Sequence, residues 1–209
     1  EFISKRDVRI LDVGCGDGGF IYYLREIGFT HVMGVDLFLD HEVTHDNGVK
    51  VHKGTIYDIE SGWDVIMLHH AFEHMPDPLE TLQGIAQRLS PGGVCLIRIP
   101  IATSYAWEHY RTNWIQMDPP RLFFLHSLQS LERLAQQAGL RLENTLYDSY
   151  GEIHALSEMY KRDISLAEAT PMDVFSPEEL QAFDKHGEQL RLEKRGDQAA
   201  FYFYSIKGN

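Results

Sequence analysis

Residues 8–19 read VRILDVGCGDGG, and this stretch decides the fold. The apolar, β-branched run 8–13 stops at Gly14 and is expected to be a buried strand. A helix should follow: Gly18 and Gly19 open it, Phe20, Tyr23, Leu24 and Ile27 recur at helical spacing, and Gly28 can end it in the left-handed conformation.

The alternation continues outward from there. Residues 31–36, 49–52, 63–68 and 93–99 are expected strands, with a helix over 79–89 between the last two. Asp77 is its expected N-cap, Pro78 its first residue, Glu80 the partner in a capping box, and Pro91-Gly92-Gly93 lie beyond its end. Ser127 should cap a helix that runs to Gly139. Strand, helix, strand alternation implies an α/β fold with a parallel sheet and helices on both faces. The last third changes character. Strands are expected at 140–147 and 199–206, and helices at 152–162 and 176–192, the second opening on the capping box Ser176-Pro177-Glu178-Glu179. About fifty residues between two strands is an insertion with a role, such as a lid or a packing surface. No linker divides the chain, so 3–209 is read as one domain. The chain opens on Glu1-Phe2, as expected of a fragment or of residues left by cloning.

Composition narrows the function. The 209 residues carry 31 Asp plus Glu against 19 Lys plus Arg, a formal charge of −12, which disfavours gripping a nucleic-acid backbone. Two cysteines, Cys15 and Cys95, make no disulfide framework and suit a reducing, cytoplasmic setting. No apolar run approaches the roughly 20 residues that span a bilayer, so no membrane partner is expected.

The loop between first strand and first helix brings a ligand close to the main chain and to a helix N-terminus. Gly14, Gly16 and Gly19 satisfy G-x-G-x-x-G, and Asp36 closes the second strand where an acid binds ribose hydroxyls, so a nicotinamide dinucleotide stays open at this point. Asp12, two residues before the first glycine, tilts the choice toward S-adenosylmethionine, because a carboxylate there attracts an ammonium group and does nothing for a pyrophosphate. Asp58, after the third strand, can accept a hydrogen bond from an adenine amino group, or be a solvated loop residue.

The segments ILDVGCGDG (10–18), GVD (34–36), WDVIMLHHAFEHMPDP (63–78) and LSPGGVCLIRIP (89–100) together resemble the ordered motifs of class I S-adenosylmethionine-dependent methyltransferases. The resemblance runs from about residue 8 to residue 206. It implies a Rossmann-like, seven-stranded, mostly parallel sheet in the order 3-2-1-4-5-7-6, with strand seven antiparallel and a helical insertion before it. It implies S-adenosylmethionine as cofactor, with Gly14, Cys15, Gly16 and Gly18 at the methionine part and Asp12 at its amino group. Asp36 and Leu37 would hold the ribose and adenine edge, Asp58 and Ile59 the adenine, and His69 and His70 would flank the sulfonium.

Methyl transfer is an in-line displacement at a cationic sulfur, so alignment and exclusion of water matter most, and a base is needed only for an acceptor that must lose a proton. His70, Glu73 and His74 follow strand four at the carboxyl edge of the sheet and are the catalytic candidates. Shaping the loop is the competing role for the Glu-His pair. Metal binding by His69, His70 and His74 is disfavoured, and no metal is expected.

Segment 102–127 is rich in aromatics. Tyr105, His109, Trp114, Arg121 and His126 are candidate acceptor contacts, the arginine as a clamp for phosphate or carboxylate; a local core is the alternative. Asp118-Pro119-Pro120-Arg121 before a helix cap resembles a subgroup acting on sugars, surface glycans and secondary metabolites. That subgroup often has His after Pro-Pro-Arg where this chain has Leu122, so such a role passes only to His126. His154, Glu158 and Tyr160, in the second acceptor-side segment 148–198, are lid candidates or plain helix surface.

The expectation is therefore a methyltransferase for a small-molecule acceptor, at oxygen before nitrogen or carbon. A non-catalytic cofactor-binding module and a nicotinamide-dependent oxidoreductase are the rivals. A larger polypeptide or a homodimer stays open.

Overall fold

A computed structural model describes residues 6–206; residues 3–5 and 207–209 of the expected domain lie outside the described residues. The first strand, β1 (Arg9–Val13), leads through the glycine loop into α1 (Gly19–Glu26), and β2 (His31–Asp36), β3 (Val43–Thr44), β4 (Lys50–Lys53) and β5 (Trp63–His69) follow. Then come α2 (Pro78–Arg88), β6 (Leu89–Pro100), α3 (Tyr105–Tyr110), α4 (Leu128–Gln137) and β7 (Leu140–Asp148). The chain closes with α5 (Gly151–Lys161), α6 (Pro171–Val174), α7 (Pro177–Leu192) and β8 (Gln198–Ser205).

The eight strands make one sheet in the order β3-β4-β2-β1-β5-β6-β8-β7. This corrects the expected seven-stranded sheet: the two-residue β3 pairs antiparallel with β4 and adds an edge. Two residues carry too little alternation to be read as a strand. With β3 set aside, the other seven strands stand in the expected order, and β4, β2, β1, β5 and β6 run parallel. The chain adds β2 and β4 on one side of β1 and β5 and β6 on the other, and this reversal of strand order puts a topological switch point at the carboxyl ends of β1 and β5, where open α/β sheets bind ligands.

Two local expectations fail. Asp77 stands at the N-cap of α2 but makes no side-chain cap bond, so the Asp77-Glu80 box does not form. Residues 91–93 do not separate helix from strand either: β6 starts at Leu89, which pairs with Trp63, and the register slips between Trp63 and Val65. The Ser176-Glu179 box, by contrast, is complete.

The described residues divide into two compact units, 6–98, 129–144 and 201–206, and 99–128 and 145–200. In the first, Ile10, Ile21, Val51 and Met67 pack into one core that fastens α1 to the sheet. In the second, Ala106, Tyr110 and Trp114 form one cluster and Ala155, Met159 and Phe175 another. Among the described residues no helix is long and apolar enough to cross a membrane.

Candidate active site

The first unit carries a cleft of about 410 Å³ lined by the carboxyl ends of its parallel strands and the turns that follow them. Gly14 is its pivot. Its φ is +72°, and a Cβ there would stand 2.5 Å from the Ala71 Cβ, so only glycine lets the turn after β1 meet the turn after β5. Gly16, also at positive φ, turns its N–H onto Asp36 Oδ2 at 2.8 Å, while Asp36 Oδ1 accepts from the Phe38 amide at 2.8 Å. One carboxylate thus stitches the glycine loop to the end of β2 and lines the cleft. Gly18 caps α1, and Cys15 packs beneath the loop with its thiol pushed up to about 12, by burial first and then by Asp12 and Asp36.

Asp12 is 3% exposed and its Oδ1 is buried with no hydrogen-bond partner. Burial, followed by the charge of Asp36, raises its carboxyl to about 7. A buried carboxylate held beside another one lacks a cation or a donor.

The opposite wall comes from Gly54 to Tyr57, with Leu37 and Phe38 at the rim, Phe38 being 90% exposed. Phe38, Ile56 and Tyr57 were not among the expected contacts. Exposed Phe38 and Tyr57 and buried Ile56 carry no sequence signal one by one, and only the cleft shows them together. Asp58 and Ile59 do not line this wall. Asp58 Oδ2 accepts from the Thr55 amide and hydroxyl, both at 2.8 Å, capping a 3₁₀ turn at Ile56–Asp58, and these bonds hold its carboxyl below the usual range. Ile59 is buried in the core.

At the end of β5, His70 and His74 line the cleft and His69 does not. His69 packs edge-on to Phe20, centroids 5.0 Å apart, and burial, then Arg98 and His70, lower it to about 4. Glu73 is 2% exposed, with Oε1 3.4 Å from His70 Nδ1. Among the described residues no group of three or more His, Cys, Asp or Glu side chains is arranged to hold a metal.

The acceptor-side candidates lie in the second unit. Tyr105 and His109 stack at 5.1 Å, and Arg121 is exposed and ion-paired with Asp118 at 2.8 Å. Trp114, 1% exposed, is local core rather than an open contact, and His126 is buried, its carbonyl taking the Ala102 amide at 2.8 Å. His154 is fully buried against Ser149 and Asp197, whereas Tyr160 is 42% exposed and Glu158 pairs with Lys161 and Arg162.

The cleft can take a flat ring between apolar walls and hydroxyls near Asp36. Asp12, Cys15, Gly16 and Gly18 do not line it; Asp12 is buried and directly precedes the lining Val13 and Gly14 in sequence. These groups fit S-adenosylmethionine: the lining suits its nucleoside, and a buried carboxylate oxygen without a partner suits a cationic group. Sequence comparison agrees. The profile of a methyltransferase domain matches residues 1–145. A phosphoethanolamine N-methyltransferase of Triticum aestivum is 27% identical over 157 residues, which is 66% of this chain and 30% of that enzyme, so the chain spans about a third of the length of this relative. A ubiquinone biosynthesis O-methyltransferase of Nitrosospira multiformis is 27% identical over 161 residues, 69% of this chain and 67% of that enzyme. Among solved structures, an S-adenosylmethionine-dependent methyltransferase from Mesorhizobium loti shares the fold at a TM-score of 0.61 and 16% identity, covering 95% of this chain and 91% of that one.

Proposed function

This chain belongs to the methyltransferase-domain family, and from that premise we propose that it binds S-adenosylmethionine in the cleft of its first unit and methylates a small-molecule acceptor at oxygen. When bound, the cofactor supplies an electrophilic methyl group on a cationic sulfur. Asp12 takes the cofactor's ammonium, Gly14 and Gly16 give it access to the main chain, Asp36 faces the ribose hydroxyls, and Leu37, Phe38 and Tyr57 hold the adenine. The observation that carries this reading is Asp12, a buried carboxylate with an unanswered oxygen at the end of β1.

The acceptor is a hydroxylated sugar, glycan precursor or secondary metabolite, and segments 102–127 and 148–198 supply its contacts, with Arg121, Tyr105 and His109 foremost. Support for oxygen comes from the ubiquinone-biosynthesis relative. A nitrogen acceptor is the second reading, favoured by the phosphoethanolamine relative. Membership in a methyltransferase family argues against the nicotinamide rival.

Calorimetry with S-adenosylmethionine and its demethylated product is expected to show micromolar-range binding of both. Incubation with hydroxylated sugars, phenols and amino alcohols, read by product mass, should then show one added methyl on a hydroxyl acceptor. Binding of neither cofactor form would sink the proposal, and methylation confined to amines would move it to nitrogen.

A further inference from the structure

The chain leaves β5 through His70 in the left-handed region, at φ 51°. This turn brings both the backbone and the ring of His70 against one residue of the neighbouring strand. The His70 amide donates to the Arg98 carbonyl at 2.9 Å, the register pairs His69 with Arg98, and Arg98 Nη1 lies 3.0 Å from His70 Nε2. A guanidinium carries only donors, so Nε2 must present its lone pair. A neutral ring with a bare Nε2 carries its hydrogen on Nδ1, the nitrogen that faces Glu73 Oε1 at 3.4 Å. The chemistry of the two partners thus agrees on one tautomer: a donor on one side of the ring and a carboxylate on the other. Glu73 is committed to the arrangement, since its side chain is 3% exposed and its second oxygen has no partner.

We propose that Arg98 is a positioning residue of the cofactor cleft: by donating to Nε2 it fixes His70 as the neutral Nδ1–H tautomer and occupies the lone pair that a proton acceptor would use. His70 then serves as a fixed wall of the cleft and not as a base. The trio Arg98, His70 and Glu73 adds no formal charge, whereas a protonated His70 would repel a sulfonium. The functional weight of this assignment rests on the cofactor reading, but the tautomer does not.

The test is the long-range ¹H–¹⁵N spectrum of histidine-labelled protein without cofactor, for wild type, Arg98→Met and Arg98→Lys, with His70→Gln identifying the signal. The wild-type ring is expected to be protonated at Nδ1 and bare at Nε2. In Arg98→Met the hydrogen shifts to Nε2 in part of the population, and Arg98→Lys, which keeps a donor, restores the wild-type pattern. The Kd for S-adenosylmethionine should rise about 2- to 12-fold in Arg98→Met, the loss of one ordinary hydrogen bond. A wild-type ring protonated at Nε2, or an unchanged tautomer in Arg98→Met, overturns the assignment; the wild-type spectrum decides even where Arg98→Met does not fold. The expected tautomer in a protein that binds no S-adenosylmethionine would sink the cofactor reading and leave Arg98 in place.

Discussion

Asp12 sits where burial and charge act in the same direction, because removal from water and the nearby Asp36 both favour its protonated form. A cofactor ammonium reverses that preference by stabilising the carboxylate. Binding is therefore expected to release a proton below pH 7, so affinity for S-adenosylmethionine strengthens as pH rises from 6 to 8. Calorimetry in buffers of different ionisation enthalpy measures the proton directly. Asp12→Asn should weaken binding about 10- to 100-fold, the range for a hydrogen bond to a charged group, and remove the pH dependence. Retention of the slope in Asp12→Asn would place the titrating group elsewhere. Gly14 makes a steric prediction at the same scale. Gly14→Ala must hold φ +72° and drive a methyl to 2.5 Å from the Ala71 Cβ. A cost of about 1–3 kcal/mol, read as a lowered thermal midpoint, is expected alongside loss of cofactor binding.

Helix starts show what the sequence can and cannot disclose about an element. Ser176 and Asp77 read alike, each followed by Pro at the first helical position and Glu three residues on. Ser176 completes its box, with Ser176 Oγ accepting from the Glu179 amide at 3.3 Å and the Ser176 amide donating to Glu179 Oε2 at 2.8 Å. Asp77 leaves α2 uncapped by its side chain and lines the cleft. Ser176→Ala should cost about 1 kcal/mol in denaturant unfolding, and Asp77→Ala clearly less; equal losses would contradict these cap geometries. The buried strands and long amphipathic helices were legible because period and punctuation agree there. Glycine loop and Asp36 were legible for the same reason, being tied to strand ends. Tertiary pairing decides two of the parts that were not legible, since β3 exists only because β4 offers it an edge and Trp114 is drawn into a local core, while Asp58 is spent locally as the cap of its own turn. Arg98 carried no signal at all, since its role appears only when the β5–β6 register sets it beside His70.

Acid stability is a property of the whole chain in which its two units are expected to differ. His154 and His69 are both lowered to about 4 from 6.5, chiefly by burial, so between pH 6.5 and 4 the unfolded chain takes up protons that the folded chain refuses. Each therefore contributes stability that is present above pH 6.5 and lost as pH falls. Asp12 has the opposite sign. Raised from 3.8 to about 7, it binds its proton in the folded state first, so its contribution is unfavourable at neutral pH and relieved as pH falls. In the first unit His69 and Asp12 oppose one another. The second unit holds His154, where Asp197 at 3.7 Å would favour a charged ring but burial, then His186 and His109, outweigh it. One net proton on unfolding is worth at most about 1.4 kcal/mol per pH unit. Amide hydrogen exchange compared at pH 7 and pH 5, corrected for intrinsic rates, should consequently show α5 losing protection while β1 and β5 hold theirs. Earlier loss in β1 and β5 would mean that His69, and not His154, governs the acid limit. Asp12→Asn separates the contributions further, because it removes the offset in the first unit and should leave β1 and β5 as acid-sensitive as α5.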